Sequence, residues 1–453
     1  MALQPFTKPV KMPKDKHETI YTLAEIPALL LLDLNNIKLD IKINESKVIS
    51  FSYQLSTLHL RQWLNEQSFS DKFYYQHRHK NHHIAATVVS KRYDHIQQFE
   101  KHYNHLQHLY VFYRSSFPNH NQQRVWEAIA PLFVIEQQKD RLRFICQFIY
   151  DQQKDPQKQR QWIQEQIKQL QISKISKSSS KLEKSSTLTH TPPKQEWISH
   201  VNDIKTMCEN QQLEKVVLAR KTRLNFSKTL DVYEIADLLI SRLKESFVFI
   251  WQNATHASIC VSPELLAEIE NNKILCDVMA GTRVRGRSFD QDHDLEIELF
   301  NSKKDRHEHG IVKNEIVAHL QPYTTNIKST ELEIKKLARV QHLYQQLSAN
   351  LNTQAYLKIL EALSPSAAVC GHPRNKALHQ ITNRENYTRS WYTGYCGVHI
   401  KQNNCAIVSI RYAELYKKHI DIYAGAGLVK DSVAENEWQE INDKMSIFLD
   451  LLH

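Results

Sequence analysis

Apolar positions change their rhythm along the chain, and the change divides it. In residues 1–170 short apolar stretches (Lys47 to Leu55, Ala85 to Val89, Tyr110 to Tyr113, Leu142 to Ile149) alternate with His, Gln and Asn, a pattern of mixed strand and helix. A Gln- and Lys-rich helical pattern from Gln152 then runs into 171–194, a stretch of Ser and Lys closing on Thr191-Pro192-Pro193. With almost no apolar content, that stretch is expected to be a polar linker or exposed loop. Over 195–453 the pattern regularises. Trp197 to Gln211 and Asp231 to Leu243 read as helices, with Lys215 to Phe226 a strand between them. Phe247 to Gln252, Ser258 to Ser262 and Lys273 to Met279 read as strands, and Asp294 to Leu320 and Leu332 to Leu351 as helices. Strands follow at Tyr395 to Lys401, Cys405 to Tyr412 and His419 to Ala424, then a closing helix from Ser432 to Leu451. Adjacent strands separated by long helices favour an α+β architecture over a βαβ repeat. The first 170 residues are expected to form an α+β region of the same fold.

Composition narrows the class. The chain has 453 residues, 41% of them hydrophobic, enough for a real core. Its 24% charged content and mean hydropathy of −0.52 accompany no apolar run near the roughly 18 residues of a spanning helix, so no membrane is expected. Met1 to Lys16 lacks the apolar centre of a secretory signal, which predicts a cytoplasmic protein. Seven cysteines without a C-x-x-C pair fit a reducing compartment and argue against disulfides or a zinc knuckle. The excess of 59 Lys and Arg over 49 Asp and Glu gives +10, but the basic residues are scattered. A solvated basic surface is expected, not nucleic-acid binding.

Glycine points to the C-terminal part. All eight glycines lie at or after Gly281, so positions where the backbone must turn sharply or approach a ligand are concentrated there. Gly286 and Gly310 are expected to be simple turns. His307-Glu308-His309 is not a zinc-protease motif, because its histidines are two apart and point in different directions. Gly425-Ala426-Gly427 lacks the third glycine and the acidic residue of a dinucleotide site.

The closing helix is expected to bury Trp438, Ile441, Met445, Phe448, Leu449 and Leu452, which follow spacings of three and four. Glu437, Glu440 and Lys444 repeat that spacing along the edge of the apolar face. Asp305 and Glu308 are also one helical turn apart, and two helices presenting acids can share a hard divalent ion.

At this point nine segments, in order, resemble one family. They are KVVLAR (Lys215 to Arg220), SPELL (Ser262 to Leu266), MAGTRVRG (Met279 to Gly286), SKKDRHEH (Ser302 to His309), VQHL (Val340 to Leu343), WYTGYCG (Trp391 to Gly397), SIRYA (Ser409 to Ala413), YAGAGLV (Tyr423 to Val429) and EWQEINDK (Glu437 to Lys444). The chain is similar to the chorismate-utilising enzymes, and among them to isochorismate synthases of the menaquinone-pathway type. That resemblance implies large antiparallel sheets flanked by helices, the fold of anthranilate synthase component I, and it covers about 195–453. It implies Mg²⁺-dependent addition of water at C2 of chorismate with loss of the C4 hydroxyl, and no glutaminase subunit.

By the same matching, Lys215 is the general base and Glu264 the general acid. Lys215 must be neutral to accept a proton, which burial in its apolar strand would favour, and Glu264 needs a raised pKa to donate one. Glu308 and Glu440 would hold Mg²⁺, with Asp305 and Glu437 beside them. Lys444 and the backbone of Gly425, Ala426 and Gly427 would support the ring carboxylate. Arg411 and Tyr392 would bind the enolpyruvyl carboxylate, and Gly281, Thr282 and His342 would line the ring. Anthranilate synthases carry Gln where Lys215 stands, and aminodeoxychorismate synthases a lysine where Ala280 stands, so neither reaction is expected. Salicylate synthases keep the counterparts of Lys215 and Glu264 and are the alternative, as is isochorismate supply to siderophores. The chain departs from the family pattern at Lys303 and Ser364.

Overall fold

The computed structural model describes residues 19–37, 47–100, 109–119, 121–151, 154–172, 183–353, 355–401 and 403–453. Within these, 21 strands join in one hydrogen-bonded network, antiparallel except where Ile20–Tyr21 runs parallel to Lys47–Leu55. Trp126–Gln138 is the junction. Through Tyr110–Ser115 it leads to Tyr395–Ile400, Asn403–Val408, Leu265–Glu270, Lys273–Val284 and Val340–Leu351. Through His82–Tyr93 it leads to Lys72–Gln76, Phe247–Gln252, Ala257–Ser262, Tyr412–Leu415, His419–Leu428 and Lys215–Asn225. These two arms face each other across a core that holds Phe112, Val398 and Ile407 from the first and Phe249, Trp251 and Tyr423 from the second. Helices cover the outer faces, as the α+β reading requires.

Strand periodicity decides what faces where. In His419–Leu428, Ile420, Ile422, Ala424, Ala426 and Leu428 pack outward under the helices Lys194–Glu209 and Ala434–Leu452. Tyr423, Gly425 and Gly427 therefore face inward. On the other arm, Val312, Ile316 and Leu320 of the helix Lys303–Leu320 pack against Cys276, Val278 and Ala280. Strands from the first 150 residues pair directly with later ones, Tyr75 opposite Phe249 and Val111 opposite His399.

Several elements differ from the sequence pattern. Leu332 to Leu351, read as a helix, forms the strands Glu333–Lys336 and Val340–Leu351. Its apolar positions mimic helical spacing, but the segment is central, with ladders on both edges, and tertiary pairing overrides local pattern. Asp294 to Leu320 is two helices, Phe289–Asn301 and Lys303–Leu320, because Ser302 leaves helical geometry and its side chain caps the second at the Asp305 N–H. Gly310 therefore sits inside a helix, not in a turn. Cys405 to Tyr412 is interrupted at Arg411, whose φ of +47° turns the chain before Tyr412–Leu415. The strand Leu265–Glu270 and the helices Tyr356–Leu363 and Arg374–Arg384 have no counterpart in the sequence reading. Within 171–194, Thr187–Thr191 is a strand paired to Lys215–Asn225, while Ser173 to Leu182 and Met1 to Lys16 lie outside the described residues. All seven cysteines are free and buried. No described helix is long and apolar enough to cross a membrane.

Candidate active site

A cavity opens where the inward faces of Lys215–Asn225, His419–Leu428 and Lys273–Val284 meet the helices Lys303–Leu320 and Ala434–Leu452. Lys215 begins its strand, and alternation sends Lys215 and Val217 inward while Val216 and Leu218 join the outer core. The Lys215 side chain is 1% exposed, and its Nζ donates to Glu308 Oε1 at 2.6 Å. Gly427, opposite Val217 on the next strand, makes that bond possible. A Cβ there would stand 2.8 Å from Lys215 Cε and 3.3 Å from Glu308 Oε1, so any side chain would push the Lys215 tip and Glu308 from these positions. Gly425 also lines the cavity, its carbonyl accepting from Lys444 Nζ at 2.9 Å. Ala426 does not: its methyl belongs to the helix-side core.

Glu264 lies between the strands Ala257–Ser262 and Leu265–Glu270, with its side chain buried in the cavity wall. Burial first, then the Asp277 carboxylate, push its pKa up to about 8, against the pull of Lys215, Lys335 and Arg78. A carboxyl so placed can be a proton donor near neutrality.

Gly281 takes φ +75° where the ladder between Lys273–Val284 and Val340–Leu351 shifts register, a bulge that turns Thr282 toward the cavity. Thr282 Oγ1 lies 3.1 Å from His342 Nδ1. The same nitrogen is 3.3 Å from the Gly281 carbonyl, an acceptor, which assigns the ring hydrogen to Nδ1. Burial, with Lys444 and Arg411 nearby, pushes the His342 pKa down to about 3, so the ring is neutral. Arg411 and Tyr392 also line the cavity. Arg411 holds its left-handed backbone at a cost of about 1–3 kcal/mol, and burial brings its guanidinium pKa down to about 10. The Tyr392 ring stacks on Tyr423, centroids 5.5 Å apart.

The helix wall carries the remaining acids. Burial pushes Glu308 up, but Lys215, with Lys444 and Lys304, outweighs it and the net shift is downward. Burial and the neighbouring Glu440 carboxylate push Glu437 up to about 7, against a hydrogen bond from Ser432. Glu440 Oε1 accepts from Lys444 Nζ at 2.6 Å. Asp305 is paired as well: Arg283 Nη2 lies 2.9 Å from its Oδ2. Glu437 and Glu440 on one helix, with Glu308 on the facing helix, are a donor set suited to a hard divalent ion. Arg283 and Lys304 escape the sequence reading, although they line the cavity next to matched positions, in GTR and SKKD. Adjacency to those motifs is the available signal.

Among the described residues a tighter group of potential metal ligands lies elsewhere, at His77, Glu268 and Cys405. The tautomer excludes it. His77 Nδ1 accepts from the backbone N–H of His79 and Lys80 at 3.1 and 2.9 Å, so the hydrogen sits on Nε2, 3.6 Å from Glu268 Oε1. No ring lone pair remains for an ion.

The family model described as chorismate binding enzyme matches residues 34–453. The isochorismate synthase MenF of Haemophilus influenzae is 30% identical over 257 residues, covering 56% of this chain and 60% of that protein. The salicylate biosynthesis isochorismate synthase of Pseudomonas aeruginosa is 31% identical over 262 residues, covering 57% of this chain and 55% of that protein. The chain thus spans a little over half the length of these curated relatives. Among solved structures, MenF, the menaquinone-specific isochorismate synthase from Escherichia coli, superposes with a TM-score of 0.86 at 24% identity, covering 95% of this chain and 100% of that one. Anthranilate synthase component I from Streptococcus pneumoniae gives 0.63 at 15%, covering 96% and 99%. Both share the fold.

Proposed function

We propose one reaction for this chain, which belongs to the chorismate-binding enzyme family: the Mg²⁺-dependent interconversion of chorismate and isochorismate. The observation that carries it is the pairing of a buried amine, Lys215, with a carboxyl of raised pKa, Glu264, on one cavity. Lys215 reacts as the neutral amine, the proton of its resting ion pair with Glu308 having left to solvent: Nζ accepts a proton from the water that adds at C2, and the Glu264 carboxyl donates one to the C4 oxygen as it leaves as water. The double bonds shift between the two carbons. One water enters and one departs, so the substrate is isomerised; Lys215 then gives its proton to solvent and Glu264 takes one back.

Glu308 and Glu440 would hold the ion, with Glu437 close by; its charge would neutralise the substrate's ring carboxylate. Lys444 and the Gly425 to Gly427 backbone support the same carboxylate. Arg411, strained and desolvated, offers a bidentate guanidinium to the enolpyruvyl carboxylate, with Tyr392 beside it. The neutral His342 ring and Thr282 set the remaining wall, where a charged ring would compete for the carboxylates.

Gln does not stand at 215 and Lys does not stand at 280, which supports water over ammonia or an enzyme amine as nucleophile. The likeness to isochorismate synthases supports a place in the menaquinone branch, and the free, buried cysteines suit the reducing cytoplasm. Incubation with chorismate and Mg²⁺, with an EDTA control and chromatographic separation, tests the reading. Isochorismate formed only with metal supports it. Salicylate plus pyruvate selects salicylate synthase, and no turnover rejects both.

A further inference from the structure

Every peptide group around Glu264 is fixed. Its own N–H donates to Ser262 Oγ at 3.2 Å, and its carbonyl accepts from the Val408 N–H at 3.2 Å. The preceding Pro263 carbonyl accepts from Arg78 Nη1 at 2.7 Å, and the following Leu265 N–H donates to Asp277 Oδ2 at 3.0 Å. The last two holds belong to one structure. Arg78 Nη1 also donates to Asp277 Oδ2, and Nη2 to Oδ1 at 3.0 Å, while Tyr344 donates its hydroxyl to Oδ1 at 2.9 Å.

Arg78 comes from the turn between the strands Lys72–Gln76 and His82–Tyr93, in the region whose sequence shows no chemistry. Its guanidinium stands over the Phe247 ring, 4.9 Å from the centroid, and Lys80 ties the same turn to Glu268 and Glu270. The Arg78 side chain is 3% exposed and that of Asp277 0%. Taking such a pair out of water costs as much as its attraction returns, and apolar residues of the same volume would serve the fold as well. Neither residue lines the cavity.

We propose that Arg78 and Asp277 are positioning residues for the proton donor: together they clamp the peptides on both sides of Glu264 and hold a buried carboxylate behind it. This deepens the isochorismate reading and rests on it for the donor's role. The charged groups acting on Glu264 are Asp277 from its neighbouring strand, Arg78 from the turn, Lys335 from Glu333–Lys336 and Lys215 across the cavity. Of these only Asp277 favours the protonated form, and it outweighs each cation singly.

The test is an isotope-edited infrared titration of the Glu264 carboxyl, assigned by its loss in Glu264→Gln, together with steady-state kinetics. In Asp277→Asn the Glu264 midpoint falls by about one pH unit or more. Arg78→Lys keeps the charge but loses the fork, so the midpoint stays while kcat falls about tenfold or more with KM within about twofold. A midpoint unchanged in Asp277→Asn overturns the electrostatic role. A kcat unchanged in folded Arg78→Lys, or lost only in step with folded protein, overturns the positioning role. If Asp277→Asn does not fold, Asp277→Glu, which keeps the charge and moves the carboxylate, replaces it. Its midpoint shifts under the proposal and stays fixed otherwise. If the wild type itself does not turn over chorismate, the isochorismate reading fails, while the infrared midpoints still decide whether Asp277 governs Glu264.

Discussion

Two carboxyls of the cavity have raised pKa values, Glu264 near 8 and Glu437 near 7; burial is the largest cause of both, and the neighbouring anion that adds to it differs. Behind Glu264 stands Asp277, an anion locked in a buried ion pair with no exit to solvent. Beside Glu437 stands Glu440, a partly exposed acid whose charge an incoming cation can offset. A permanent anion keeps a carboxyl protonated whatever binds, which suits a proton donor. A repulsion that a cation relieves is the signature of a place for a cation. One wall of the cavity is finished by the fold, and the other is completed by its ligand.

The largest effects should come from the proton-transfer pair. Lys215→Gln and Glu264→Gln are each expected to lower kcat about 10³-fold, with chorismate binding in the presence of Mg²⁺ kept within a few-fold by equilibrium titration. Wild-type turnover in either variant would remove that residue from the reaction. Next, Glu440→Ala should lose about 100-fold at low Mg²⁺ and recover in part as Mg²⁺ is raised, because Glu308 remains. Unchanged activity without added metal would end the metal assignment. On the other wall, Mg²⁺ should not rescue Glu264→Gln at any concentration, which separates the two carboxyls directly.

Stability separates them again. The Glu264 carboxyl has an ordinary value of 4.5 and a folded value of about 8, so the folded state binds more protons between those limits and stability falls as pH rises through them. Glu264→Gln removes that loss. By calorimetry it should melt above the wild type at pH 8 and higher, by several degrees, with the gap closing below pH 4.5. The smallest effect is expected at Ala426, whose methyl faces the helices. Ala426→Gly should leave kcat within about twofold while costing about 0.5–1 kcal/mol of stability in a denaturant titration.

Much of this is legible in the chain because the site is built from residues whose neighbours in sequence carry it. Lys215, Glu308 and Glu440 each sit in a motif that marks them by their sequence neighbours, and all of them line the cavity. The motif does not reveal which way the Ala426 methyl points, because a motif gives adjacency, whereas a strand sends alternate residues to opposite faces, and the methyl packs on the helix side. Leu332 to Leu351 reads as a helix because helical spacing survives in a strand buried between two ladders. Arg78 has no local signal at all. Its partner is 199 residues away, and nothing nearby marks an arginine in a tight turn as the clamp of a distant carboxyl.

The most direct test of the central claim is the origin of the new hydroxyl oxygen. Chorismate is incubated with the protein and Mg²⁺ in ¹⁸O-labelled water, and the isochorismate is isolated and fragmented in a mass spectrometer. The account predicts one ¹⁸O at C2 in every molecule formed in the forward direction. Unlabelled isochorismate would mean that the hydroxyl migrates within the substrate, and would contradict water activation by Lys215.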